Sequence, residues 1–216
     1  GKAPCFFDIL ANPLDGPYYW ERSPNQMYDR IKIPVWARSG WWAYAHMHLV
    51  GAFHNYLGID APKKLEIDAP VVEMRPLSDE YCAQVLRWYD HWLKGIDTGI
   101  MDEPPIRFFV NGSGEWRFED EWPLARTRWT KMYLRRWQGL SEEPEETAGK
   151  PDAFVQQPAD ETVDISQIEY VSEVLKEDTE ITGPAAIYLH GAIDQDDANW
   201  IVSLRDLHSD GRQVEL

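Results

Sequence analysis

Hydrophobic and polar positions from Ile33 to Gly95 switch repeatedly between two periods. Ile33-Pro34-Val35-Trp36-Ala37-Arg38 is a strand-like run ended by Ser39-Gly40. Its proline stands near the start, where a missing N–H is tolerated. His46 to Tyr56 then places Leu49, Val50, Phe53 and Tyr56 at helical spacing. Lys63-Lys64-Leu65-Glu66-Ile67 reads as a second strand. Residues 78–94 carry the clearest helical pattern. Tyr81, Val85, Trp88 and Trp92 form one apolar row, and Cys82, Leu86, Tyr89 and Leu93 form the next. Together they predict a wide buried stripe. Ser78 is a good N-cap, Asp79 and Glu80 suit the positive end of the dipole, and Lys94 suits the last turn. Gly95 supplies the C-cap. Strand, helix, strand, helix predicts a parallel sheet with covering helices.

The flanking segments differ. Residues 1–32 are rich in aromatics and turn residues, such as Asn12-Pro13 and Asp15-Gly16-Pro17, and predict short helices joined by turns. After Met101-Asp102-Glu103-Pro104-Pro105 the segments are strand-like: Ile106 to Val110, Arg128 to Leu134, Ile168 to Val174, Ala186 to His190 and Trp200 to Leu207. Asp210-Gly211 is a hairpin signal. This half predicts a β-sandwich or barrel. Gln138 to Ser166 holds eight acids against one base, Lys150, and reads as a solvated surface loop. A last hairpin that stops at Leu216, and a first residue other than Met, predict that the chain is a piece of a longer parent.

Composition narrows the function classes. Lys and Arg number 21 against 37 Asp and Glu, a net charge of −16. That balance opposes binding to phosphate backbones and to anionic membrane surfaces. No signal peptide or membrane-spanning apolar run is seen, so a cytoplasmic location is expected. Cys5 and Cys82 make neither a disulfide framework nor a metal spacing, and buried free thiols are expected. The 11 tryptophans are expected mainly to fill the core. Glu115-Trp116-Arg117 and Glu121-Trp122-Pro123 could form a carbohydrate platform, but packing at a domain junction is the simpler expectation.

Local motifs for chemistry are sparse. The nucleophile elbow Gly-x-Ser-x-Gly is absent, and Gly112-Ser113-Gly114 lacks its spacing and reads as a turn. His46 and His48 would share a face on a strand but diverge on the expected helix, and no third ligand is evident. Asp194-Gln195-Asp196-Asp197-Ala198-Asn199 lacks the glycine and closing glutamate of a calcium loop. No metal or other cofactor is expected.

Leu86-Arg87-Trp88-Tyr89-Asp90-His91-Trp92-Leu93-Lys94-Gly95-Ile96-Asp97-Thr98-Gly99-Ile100-Met101-Asp102-Glu103-Pro104-Pro105 resembles the CocE/NonD hydrolase family. So do Gly114-Glu115-Trp116-Arg117, Trp122-Pro123-Leu124, Asp178 to Pro184, Val202 to Asp206 and Asp210-Gly211-Arg212. The family includes cocaine esterase, X-Pro dipeptidyl-peptidases and α-amino-acid ester hydrolases. The resemblance implies an α/β part followed by an all-β part. Residues 1–30 would end a helical cap region. Residues 31–105 would form the C-terminal portion of an α/β-hydrolase domain. Residues 106–216 would begin an incomplete jelly-roll β-sandwich. It also implies serine hydrolysis of a small ester or amide by the parent, with the nucleophile outside this chain. The family's acid position aligns with Ala43 after Gly40-Trp41-Trp42, and its histidine position with Val72. His46, His48, Asp68 and Glu73 flank these positions and are the candidate acid–base groups. Alternatively, a degenerate relative serves as a binding or structural protein. A hydrolase domain lacking half its sheet is expected to associate with itself or with the missing half.

Overall fold

The computed structural model describes residues 4–41, 47–70, 78–146, 149–157 and 165–216. They divide into two compact units, Gly1–Gly183 and Pro184–Leu216.

The first unit opens with two short helices, α1 (Pro4–Ala11) and α2 (Pro17–Trp20), and a 3-10 turn over Pro24–Arg30. Pro17 sits in the first turn of α2, where its fixed φ is already helical. The alternating centre follows: β1 (Val35–Gly40), α3 (Met47–Gly58), β2 (Lys63–Asp68) and α4 (Asp79–Lys94). β1 and β2 pair in parallel, with Val35 opposite Lys63 and Gly40 opposite Asp68. Next, β3 (Ile106–Val110) pairs in parallel with β2, and β4 (Glu115–Glu119) pairs antiparallel with β3. The sheet order is β1-β2-β3-β4, so Ile106 to Glu119 extends the sheet begun by β1 and β2.

Strand alternation gives this sheet two faces. Ala37, Leu65, Ile67, Ile106 and Phe108 pack with Ala52 and Tyr56 of α3 and with Leu124 into the core. Tyr28 donates to Asn55 Oδ1 at 2.9 Å and lays its ring against Gly58, where a Cβ would come within 2.1 Å of it. The opposite face presents Trp36, and its ring lies 5.8 Å from that of Trp88 on α4. Helices therefore cover both faces of the strand pair, as parallel pairing requires.

α4 has the predicted caps. Ser78 Oγ accepts from the Tyr81 amide at 3.1 Å, and Gly95 adopts the left-handed conformation at φ 68°. Its predicted stripe is only half buried. Trp88 is buried and Tyr81, Val85 and Trp92 are partly covered, but the second row faces out, with Leu86 61% and Leu93 77% exposed. Cys82 belongs to that outer row, and Cys5 is exposed as well, which corrects the expectation of buried thiols.

A separate sheet of β5 (Tyr133–Arg135), β6 (Gly139–Ser141) and β7 (Val171–Ser172) completes the strands of the first unit. The runs Arg128–Leu134 and Ile168–Val174 are thus largely irregular. Of the polar excursion, residues 139–141 enter a strand, and residues 147, 148 and 158–164 lie outside the described set. The second unit forms one hairpin, β8 (Arg205–Leu207) with β9 (Gln213–Glu215). Its turn closes through the His208 amide to Arg212 O at 2.9 Å. Ala186–His190 forms no strand, and Tyr188 is 91% exposed. Strand-like composition without a partner ladder leaves a segment extended but unassigned, and an isolated hairpin is marginal. No helix among the described residues is long and apolar enough to cross a membrane.

A bidentate ion pair ties the segment before Gly183 to β4. Arg117 donates to Glu180 Oε2 at 2.8 Å and to Oε1 at 2.7 Å. The hydrogen bonds from Arg117 hold Glu180 down at about 2, against an ordinary 4.5. A carboxylate held low contributes stability above its ordinary value and loses it as pH falls through the depressed one. Carbon NMR titration of the Glu180 carboxyl is therefore expected to give a midpoint near 2, returning toward 4.5 in Arg117→Met. A midpoint unchanged by the substitution would reject the pair as the cause.

Candidate functional site

In open α/β sheets, ligands bind beyond the carboxyl ends of the parallel strands. Here that edge is formed by Gly40-Trp41 and Asp68-Ala69, held together by the Trp41 amide donating to Asp68 O at 3.2 Å. Residues 42–46 and 71–77, which follow Trp41 and Pro70 in the chain, lie outside the described residues, Ala43, His46, Val72 and Glu73 among them.

The two remaining candidates are not brought together. His48 is exposed on the first turn of α3. Asp68, at the end of β2, is held by Arg38. Arg38 Nε and Nη2 lie 3.0 and 2.8 Å from Asp68 Oδ2, and Nη2 lies 3.1 Å from Glu66 Oε1. The guanidinium stacks 4.0 Å above the Tyr81 ring of α4.

Below this edge, a cleft of about 200 Å³ opens on the α4 face of the sheet. Trp36, Lys64, Glu66, Gln84, Glu103 and Arg107 are among its lining residues. Lys64 and Glu66 are buried at 7% and 5% exposure. Burial pushes the Glu66 carboxyl up, against the pull of Arg38 and Arg107. Burial pushes the Lys64 ammonium down, against the pull of Glu103.

The ions are paired, although Arg38 Nη1 and Arg107 Nε are buried without a hydrogen-bond partner. Lys64 donates to Glu103 O at 3.3 Å and to Pro104 O at 3.2 Å. Arg87 pairs with the Glu103 carboxylate, and its Nε donates to Thr98 O at 2.9 Å. The Leu65 amide donates to Pro105 O at 2.9 Å, which aligns the chain entering β3 with β2. The motif from Leu86 to Pro105 is thus a pinned connection between helix and strand. Its polar residues hold a loop in place and carry no nucleophile paired with a base.

Sequence reading passed over Arg38, Lys64, Glu66 and Arg107. Lys63-Lys64-Leu65-Glu66-Ile67 reads only as a strand, with no role for its charges. The available signal was the helix that follows, whose aromatic row needs a surface to cover. Of the proposed platform, Trp122 stacks on Phe53 at 4.5 Å and joins the core, while Trp116 lies edge-on to Phe109 at 5.7 Å beneath Arg107. Trp122 thus packs against the core, whereas Trp116 stays 37% exposed. Among the described residues no cluster of three or more His, Cys, Asp or Glu could hold a metal ion.

The model of the X-Pro dipeptidyl-peptidase C-terminal non-catalytic domain matches residues 98–216. A candidate serine esterase of Mycobacterium bovis is 25% identical over 98% of this chain and 39% of its own length. Cocaine esterase of a Rhodococcus species is 25% identical over 75% of this chain and 33% of its own. The chain thus spans about two fifths or less of these relatives. The crystal structure of a CocE/NonD family hydrolase from Staphylococcus aureus superposes with a TM-score of 0.56, at 18% identity, over 65% of this chain and 26% of that one.

Proposed function

The chain belongs to the family of the X-Pro dipeptidyl-peptidase C-terminal non-catalytic domain, within the CocE/NonD hydrolases, and we propose that it is the C-terminal scaffold of a serine hydrolase. The whole enzyme would transfer the acyl group of a small ester or amide to water. The observation that carries the reading is the absence of a nucleophile elbow anywhere in the 216 residues, beside 25% identity to relatives named as esterases. On this reading residues 1–30 end a cap region, residues 31–105 belong to the α/β-hydrolase domain, and residues 106–216 lead into a jelly roll after β3 and β4 have extended the hydrolase sheet. The carboxyl edge of β1 and β2, at Gly40-Trp41 and Asp68-Ala69, would then face the active centre, because ligands of open α/β sheets bind beyond that edge. Without a nucleophile elbow, and with Ala43 and Val72 at the positions that align with the family's acid and histidine, the chain alone is expected to turn over no substrate.

The second reading, a degenerate relative that binds or supports, is favoured by Ala43 and Val72 at the family's acid and histidine positions. The outward row of Leu86, Tyr89 and Leu93, and the open edge of β1, would be covered by the rest of the hydrolase or by a second copy. One sample tests both points. A fluorophosphonate probe is expected to label no serine, and sedimentation at micromolar concentration is expected to show association. Stoichiometric labelling of one serine would overturn the scaffold reading, and a clean monomer would overturn the covered surface.

A further inference from the structure

β3 and β4 are joined by Asn111-Gly112-Ser113-Gly114, a turn exposed at all four residues. The Gly114 amide closes it by donating to Val110 O at 2.8 Å, while Gly112 donates no backbone hydrogen bond among the described residues. A glycine amide that is free and unhindered can reach the side-chain carbonyl of the residue before it. We propose that Asn111-Gly112 is a site of spontaneous modification, at which Asn111 is converted through a cyclic imide to aspartate and isoaspartate.

The chemistry needs only water. The Gly112 amide nitrogen loses its proton and attacks Asn111 Cγ, forming the N–Cγ bond. The Cγ–Nδ2 bond breaks, and the nitrogen leaves as ammonia after taking up the proton. Water then opens the imide at either carbonyl. Cleavage of N–Cγ leaves aspartate. Cleavage at the main-chain carbonyl leaves isoaspartate, with an added methylene in the backbone of the turn. Either product places a new carboxylate next to Glu115.

The structure singles out this position among five asparagines. Asn12 precedes a proline, which has no amide hydrogen to lose. The Gln26 amide that follows Asn25 donates to Ser23 O at 3.3 Å. Asn55 lies within α3 and accepts from Tyr28. Asn199 precedes Trp200, a bulky residue. The comparison with Asp210-Gly211 is sharper. That dipeptide has favourable chemistry, but the Gly211 amide donates to His208 O at 2.9 Å and Asp210 Oδ1 accepts from the Arg212 amide at 2.9 Å. Its attacking nitrogen and its target carbonyl are both held.

The test incubates the full chain in mildly alkaline and mildly acidic buffer, followed by peptide mass spectrometry and enzymatic methylation of isoaspartate. Conversion is expected at Asn111, faster in the alkaline buffer, with Asp210 unchanged until the chain is unfolded in urea. Gly112→Ala serves as the control. An added Cβ there meets nothing within 4 Å, and the backbone is not left-handed, so the hairpin accommodates alanine. The methyl group crowds the nitrogen, and most of the conversion at Asn111 is expected to be lost. Conversion of Asn25 or Asn199 ahead of Asn111, isomerisation of Asp210 in the folded chain at an equal rate, or an undiminished rate in Gly112→Ala would each overturn the proposal.

Discussion

Replacing Phe108 by alanine is expected to destabilise the first unit by about 3–5 kcal/mol. Phe108 is 2% exposed and stands opposite Ile67 in the parallel pairing of β2 with β3. Trp122 and Trp41 present their rings at 6.1 and 6.3 Å, and the Arg117 guanidinium lies 4.8 Å from the ring centre on the strand beside it. Truncation removes the transfer free energy of the ring and leaves a cavity. That cavity is bounded by a hydrogen-bonded sheet and by stiff indoles, so it cannot easily collapse, and a cost toward the upper end follows. The reporters are already in place, because Trp41 and Trp122 pack against this core. Their fluorescence during urea unfolding measures the midpoint of this unit, which matters because a chain of two units has no single unfolding free energy. Val110→Ala, at a partly buried core neighbour, is expected to cost much less. Equal costs at the two positions would show that Phe108 is not the centre of the core.

Arg38→Met is the second large effect, expected at about 3–5 kcal/mol near neutral pH. Methionine keeps an apolar stem against Trp36 and Tyr81 but removes the cation. Glu66, 5% exposed, would then rely on Arg107 at 3.9 Å. An uncompensated buried carboxylate is costlier than the pair was beneficial. The sign with pH follows from the direction of the shift. Burial already raises the Glu66 carboxyl above 4.5, and loss of Arg38 raises it further. A carboxyl raised on folding keeps its full contribution below its ordinary value and loses it as pH rises through the raised one. The penalty of Arg38→Met should therefore shrink on acidification toward pH 4.5 and grow toward neutrality. Glu66→Gln in the same chain is expected to recover much of the loss. A penalty independent of pH, and unrelieved by Glu66→Gln, would mean that Arg38 acts by packing alone.

Much of the local architecture was legible in the residues. The capped helix of residues 79–94, the strand at 106–110 and the hairpin around Asp210-Gly211 follow from period, caps and turn chemistry, which are properties of neighbours in the chain. The motif that betrays the family was also legible, but its role was not. Leu86 to Pro105 looks like chemistry because it is dense in charge and aromatic rings. In the fold, Arg87, Lys64 and Glu103 hold a loop that sets the register of β3 on β2.

By itself, the sequence of this protein determined where helices and strands could form and that no serine elbow is present, and its family resemblance led to the expectation that Ala43 and Val72 stand at the acid and histidine positions. Tertiary structure alone decided which apolar rows are inside. Trp88 is covered and Leu86 is not, although both sit in the same amphipathic pattern. It also decided that Lys64 and Glu66, the charged positions of β2, are buried on the α4 side of the sheet. The physical reason is that period reports only which side chains share a face. Whether that face meets water, a helix or another part of the protein depends on segments far away in the chain. The same dependence holds at the carboxyl edge of β1 and β2, where Asp68 meets Arg38, a residue 30 positions away in the chain, at 2.8 Å.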